Sequence, residues 1–324
     1  MPSSSYKTKH FLFQAAKLLL VIACLYFLYE QISRSKSLSS LNLKKFFFEE
    51  VFSVNLIVIL ILFSLANWSL EFSKWKALIT PIQPISYQQS ARQSLSAFVL
   101  SAFTPNKIGE YGVRPLFFEK SYRKKIAMLT AIHHFTQMLA TLIFGLLGFL
   151  FLFINFPKLY QYSHPLILLA TLFIIIGGFV YFNTKKQWIS IPYFTKAIMF
   201  ICNLNKRAYA KNFSFSLARY LIFSHQFLFL LYQFNLSIPY TEGMAAIATV
   251  YLLSSILPVI SFFDILIKGS VAVFVFGFFD SSDIIILKII GLMWIFNYLI
   301  PIIIGIITVI QLRYPIHKEA WKIS

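Results

Sequence analysis

The chain alternates long apolar runs with short polar, lysine-rich segments, and two of the apolar stretches are broken by a proline followed by ionisable residues. A helix of about 20 apolar residues crosses the roughly 30 Å hydrocarbon core of a bilayer. Six runs meet that length and predict full spans: about Phe11 to Tyr29, Val51 to Leu70, Ile126 to Ile154, Leu166 to Phe182, Phe213 to Phe234 and Ile284 to Leu312. Ser86 to Phe103 is instead amphipathic, with Gln88, Gln89, Arg92, Gln93, Ser94 and Ser96 among apolar residues. Such a segment predicts a helix that enters the membrane surrounded by protein. It leads into a first break, Phe103 to Arg114, which reads Phe-Thr-Pro-Asn-Lys-Ile-Gly-Glu-Tyr-Gly-Val-Arg. A second break follows Met244 to Leu257, where Pro258, Ser261, Asp264, Lys268 and Gly269 precede the apolar run Val271 to Phe279. The expected fold is all-α: a polytopic integral membrane protein with six full transmembrane helices and two interrupted or re-entrant stretches. Eight spans, with the interrupted stretches crossing as broken helices, satisfy the same parity. A single transmembrane domain over 1–324 is expected, without a soluble domain.

Charge orients these spans. Glu119 to Lys125 carries Lys120, Arg123, Lys124 and Lys125, and Asn183 to Asn212 carries six cations and no acid, whereas Asn235 to Thr241 has no cation. Cytoplasmic loops concentrate Lys and Arg. The first two segments are therefore expected inside and the third outside, with both termini cytoplasmic in a multi-pass protein of the cell membrane. Trp68 and Trp75 with Lys74 and Lys76 read as an interfacial belt closing the second span.

Composition supports the class and removes others. The chain is 58% hydrophobic and 12% charged, with a mean hydropathy of +0.73, far from soluble composition. The net charge of +18 sits mostly in short loops, so orientation explains it and no nucleic-acid partner is expected. Cys24 and Cys202 lie in or beside apolar runs at no metal-ligand spacing and read as small hydrophobes. The first apolar run is followed by no small-residue cleavage site and reads as a retained span. No Walker-type loop, Gly-x-Ser-x-Gly, His-x-x-x-His or pair of acids at metal-ligand spacing occurs, so neither a cofactor nor a metal is expected and no catalytic residue is assigned.

The candidate chemistry lies at the breaks. Glu110 and Arg114, like Asp264 and Lys268, are four residues apart, which places each pair on one helical face within pairing distance. The two pairs share one sequence offset, which suggests half-repeats over about 51–182 and 213–312. Inverted repeats with discontinuous helices meeting near the midplane recur in transporters. Ionisable residues inside a membrane are functional candidates by default, although such pairs also neutralise each other in packed bundles. Pro105, Gly109, Gly112 and Pro258 are expected to shape the breaks. Lys107 is expected to meet substrate or to snorkel to the headgroups. Arg92, His133, His134, Gln137, Arg219 and His225 are candidates for the same cavity, with interhelical hydrogen bonding as their duller role.

The run Leu100 to Pro115, containing Pro105, Gly109, Glu110 and Arg114, resembles the Pro-Gly-x-x-Gly-Glu-x-x-Arg pattern of the lysylphosphatidylglycerol synthase transmembrane region, a flippase-like domain family. The family's second motif is matched by Leu257, Pro258 and Asp264, without its glycines. The resemblance implies a lipid translocase that moves a phospholipid or lipid-linked headgroup between leaflets, as a stand-alone membrane domain without an aminoacyl-transfer domain. Glu110, Arg114, Lys107, Asp264 and Lys268 would then bind substrate. The implied partners are anionic or lipid-linked membrane lipids and a lipid-modifying enzyme or glycosyltransferase. An accessory or membrane-embedded component of a lipid glycosylation pathway, and a non-catalytic lipid-binding scaffold, remain as alternatives.

Overall fold

The computed structural model describes residues 26, 53–102, 104, 107–157, 206–256 and 263–312. The expected span at 11–29 apart from Tyr26, the span at 166–182, most of the basic loop 183–212, both cysteines, Pro105 and Pro258 lie outside the described residues. Every element among the described residues is helical.

The first half contains α1 (Val54–Ile79), α2 (Tyr87–Ser101), the single turn α3 (Glu110–Val113) with the 3-10 turn Arg114–Phe117, and α4 (Arg123–Asn155). The second contains α5 (Lys206–Gln233), α6 (Tyr240–Ile256), α7 (Asp264–Phe276) and the long α8, Asp283–Ile310. Four of these, α1, α4, α5 and α8, are long and apolar enough to cross a membrane. They coincide with four of the six expected full spans. The helices beside the breaks are shorter among the described residues, α2 with 15 residues, α6 with 17 and α7 with 13.

Local sequence explains the helix starts. The Ser53 hydroxyl accepts from the Leu56 amide at 3.3 Å and caps α1. Ser86 and Gln89 form a reciprocal capping box at 3.1 and 2.8 Å, so the amphipathic segment starts where its polar residues begin. In α8 a π-helical turn, Ile295–Leu299, interrupts the α-helix just before Pro301. Pro301 has no N–H to give to Asn297, four residues back. The Asn297 carbonyl is taken instead by the Trp68 indole at 3.3 Å.

One expectation about α1 is corrected. The helix runs on past Leu70 to Ile79, and Trp68, Lys74 and Trp75 are 7, 1 and 0% exposed. They lie inside the bundle rather than at a headgroup belt, because α1 continues with its polar face turned inward.

The described helices bury many polar side chains and expose many apolar ones. Ser90, Ser96, Thr130, Asn212, Ser216 and Gln226 are fully buried, while Leu65, Leu147, Ile154, Ile303 and Ile307 are exposed. A hydrocarbon surround favours that arrangement, because apolar side chains gain nothing by leaving lipid and polar ones must find partners.

Three of the contacts join the two parts of the chain. Helix α1 packs on α5; α2 of the first half packs on α8 of the second, and α6 of the second packs on α4 of the first. Glycine permits both crossings. A Cβ at Gly145 would lie 2.6 Å from the Leu252 Cβ and one at Gly148 would lie 2.7 Å from the Ala248 Cβ, across the α4–α6 contact. A Cβ at Gly305 would lie 2.5 Å from Val99 Cγ2, across the α2–α8 contact. An apolar core of Phe227, Leu231, Ala246, Ile247, Val250 and Phe276 fills the space on the α5–α6–α7 side.

Candidate functional site

The site is built around a buried ionic network whose centre is Glu71, in the middle of α1. Its Oε1 lies 2.6 Å from His133 Nε2 of α4 and 3.3 Å from Arg114 Nη2 of the first break. Its Oε2 accepts from Arg219 Nη1 of α5. Arg114 in turn reaches Glu110, with Nη2 2.8 Å and Nε 2.9 Å from the same carboxylate oxygen. Glu110 and Arg114 are 3 and 1% exposed, so this pair is shielded from bulk solvent. The guanidinium also lies over the Trp75 ring, 4.2 Å from its centroid. Trp75 is itself held by its indole N–H, which donates to Gln93 of α2 at 2.8 Å.

Supporting hydrogen bonds fix the positions of the charged groups. Arg219 Nε donates to Asn67 Oδ1 at 2.8 Å, and the Asn67 amide donates to Asn297 of the π turn at 3.0 Å. The Asn297 amide donates onward to Gln226 at 2.8 Å. Asn212 of α5 donates to the Lys74 carbonyl at 3.0 Å and accepts from Thr136 at 2.6 Å. A buried charge is tolerated only when paired and hydrogen-bonded, and these side chains supply the required partners.

Beside the network lies a cavity of about 430 Å³. Lys107 of the first break and Asp264 and Lys268 of the second both line it, together with Arg219, His134 and Gln137. The two interrupted stretches therefore meet at one space. The Asp264 carboxylate and Lys268 ammonium are 2.5 Å apart, and each side chain is 37% exposed. Lys107 Nζ sits 4.8 Å from the Phe98 ring centroid, and its backbone has φ 56°, in the left-handed region that non-glycine residues seldom occupy. An aromatic wall also lines the cavity. Trp294 and Tyr298 stack at 5.5 Å, Tyr298 meets Phe98 edge-on at 5.1 Å, and Phe98 meets Trp68 at 4.9 Å.

The expected site residues divide into three groups. Lys107, His134, Gln137, Arg219, Asp264 and Lys268 do line the cavity. Glu110, Arg114 and His133 do not, contrary to expectation; they belong to the network behind it, where Glu71 and Glu110 hold them. His134 joins the two layers, its Nε2 being 3.3 Å from Glu110 Oε2. Arg92 and His225 face elsewhere. Arg92 donates to the Gln311 carbonyl at 3.3 Å near the end of α8, and His225 lies 3.1 Å from the Tyr240 hydroxyl on an exposed face of α5.

The glycines of the first break also differ from one another. A Cβ at Gly109 would come within 3.0 Å of the Ser101 backbone, so the chain doubles back closely there. Gly112 lies inside α3 with open space around it and is not required for the break.

Glu71, Lys74, Asn67 and Asn297 are the participants that the sequence reading passed over. Asn67, Glu71 and Lys74 follow a spacing of four and three residues, which is one face of a helix. That spacing was the available signal. Among the described residues no cluster of His, Cys, Asp and Glu has the arrangement of a metal site. No protein-family model, curated protein or solved structure matches the chain.

Proposed function

We propose that this protein is a lipid translocase, which passes a phospholipid or lipid-linked headgroup between leaflets through the cavity where the two breaks meet. What supports the reading is one juxtaposition: Lys107 from the first break and Asp264 and Lys268 from the second line the same cavity. A charged headgroup crosses hydrocarbon only at great cost, and a polar path inside the bundle lowers it. The aromatic wall of Phe98, Trp294 and Tyr298 offers an apolar side for the start of the tail. Short helices ending at a polar cavity are tolerated because protein and water satisfy their free backbone groups.

In this reading the network behind the cavity is a scaffold. It holds Arg219 at the wall and ties α1, the first break, α4 and α5 into one unit. The full chain would have six spans and two interrupted stretches arranged as half-repeats, with both termini in the cytoplasm. The test is leaflet exchange of labelled phospholipids in proteoliposomes. Exchange that requires the protein and is lost in folded Lys268→Gln and Arg219→Gln variants supports translocation. Absence of exchange for anionic, zwitterionic and cationic headgroups alike overturns it.

A further inference from the structure

The charge pairing around the cavity leaves a specific surplus. Each carboxylate of the site has its own cation: Glu71 has Arg219, Glu110 has Arg114, and Asp264 has Lys268. Two lysines remain. Lys107 lines the cavity, resting against the Phe98 ring. Lys74 is 1% exposed, and its Nζ lies 3.5 Å from Oε1 of Gln137, a residue of the cavity wall. Neither forms an ion pair among the described residues.

Lys74 is buried and Lys107 half-buried; a cation without an ion-pair partner at either place is costly, and a site that keeps two of them is matched to an anion that brings two charges. A phosphodiester headgroup carries one negative charge. A phosphomonoester carries about −1.5 to −2 near neutral pH and offers three acceptor oxygens. The backbone at Lys107 strengthens the case, since a lysine held at φ 56° is kept where glycine would be easier.

Resting on the translocase reading, we infer that the cargo is a lipid with a terminal phosphate, a phosphomonoester or diphosphate, rather than a phosphodiester lipid. Lys107 meets the additional charge directly. Lys74 meets it through Gln137 and the field of the cavity wall. The phosphate group lies among Lys107, Arg219 and Lys268, and the tail leaves along the aromatic wall.

The experiment compares leaflet exchange of acyl-labelled phosphatidic acid and acyl-labelled phosphatidylglycerol by the full chain in proteoliposomes. Phosphatidic acid is expected to exchange at least about tenfold faster, the effect of one additional charge-assisted contact. Lys107→Gln should remove most of that preference and Lys107→Arg should restore it. Lys107→Gly relieves the backbone while deleting the ammonium, so loss of preference without loss of thermal stability assigns the effect to charge. Equal exchange of the two lipids overturns the inference and leaves translocation standing.

If neither lipid exchanges, binding decides the ligand. A thermal shift of the detergent-solubilised protein with farnesyl diphosphate that exceeds the shift with a farnesyl methyl phosphodiester keeps the terminal-phosphate assignment. Equal or absent shifts overturn it. A shift with inorganic pyrophosphate as large as that with farnesyl diphosphate overturns the lipid part, because the tail would then contribute nothing.

Discussion

Glu71 of α1 and Arg114 of the first break, 43 residues apart in sequence, meet inside the bundle with 3.3 Å between Oε1 and Nη2. This link makes the first break part of the bundle rather than a loose re-entrant loop. Through Arg219, which shares the Glu71 carboxylate, the same link extends from α1 to the cavity wall.

Glu71→Gln tests the hub. The substitution keeps the shape but leaves Arg114 and Arg219 around a neutral amide. Removing one partner of a buried ion pair costs about 3–5 kcal/mol. The thermal midpoint in detergent should fall markedly. Asp264→Asn should cost no more than about 1 kcal/mol, because its pair with Lys268 is more than one-third exposed. Comparable losses in the two variants would refute the division into scaffold and cavity wall.

The i, i+4 pairs were readable in advance because helical geometry alone places Glu110 beside Arg114 and Asp264 beside Lys268. Their neighbours were not. Hydropathy falls where polar residues begin, so the run reads as a span ending at Leu70, with Lys74 and Trp75 at the membrane surface and Glu71 given no role. Whether those residues face headgroups or other helices depends on α4 and α5, which are distant in sequence. His225 illustrates the opposite error. It shares α5 with Arg219, but a separation of six residues turns it well away from the face that meets Glu71.

Glycine substitutions separate close packing from local backbone needs. Gly148→Val would drive a side chain into Ala248 Cβ and the Ala245 carbonyl, 2.7 and 2.8 Å from the first added atom. Overpacking of this kind costs about 1–3 kcal/mol. Gly112→Ala meets no neighbour and adds helix propensity, so its stability should be unchanged or up to about 1 kcal/mol higher. Thermal midpoints of the two variants in one detergent check both signs.

Pro301→Ala bears on the π turn. The new N–H can take the Asn297 carbonyl and complete an α-helical bond, in competition with the Trp68 indole. Asn297 would then move off Gln226 and Asn67, and Arg219 would lose the support of Asn67. Stability should hold or rise while exchange slows. A variant that is as active as the parent would show that the turn does not set the position of Arg219.

Solvent access to the cavity can be measured without knowing its cargo. Ser255 on α6 lines the cavity and is exposed, whereas Ser216 on α5 is fully buried between Asn212 and Thr136. In a background with Cys24 and Cys202 replaced by serine, Ser255→Cys should react with a membrane-impermeant thiol reagent and Ser216→Cys should not. Reaction requires the thiolate, which forms only where water reaches the sulfur. Ser255→Cys must therefore label if a headgroup is to reach Lys268 and Lys107. Labelling that phosphatidic acid slows and phosphatidylglycerol does not would place the terminal phosphate in the same space. An unreactive Ser255→Cys would mean that the cavity is closed to water and cannot serve as a headgroup path.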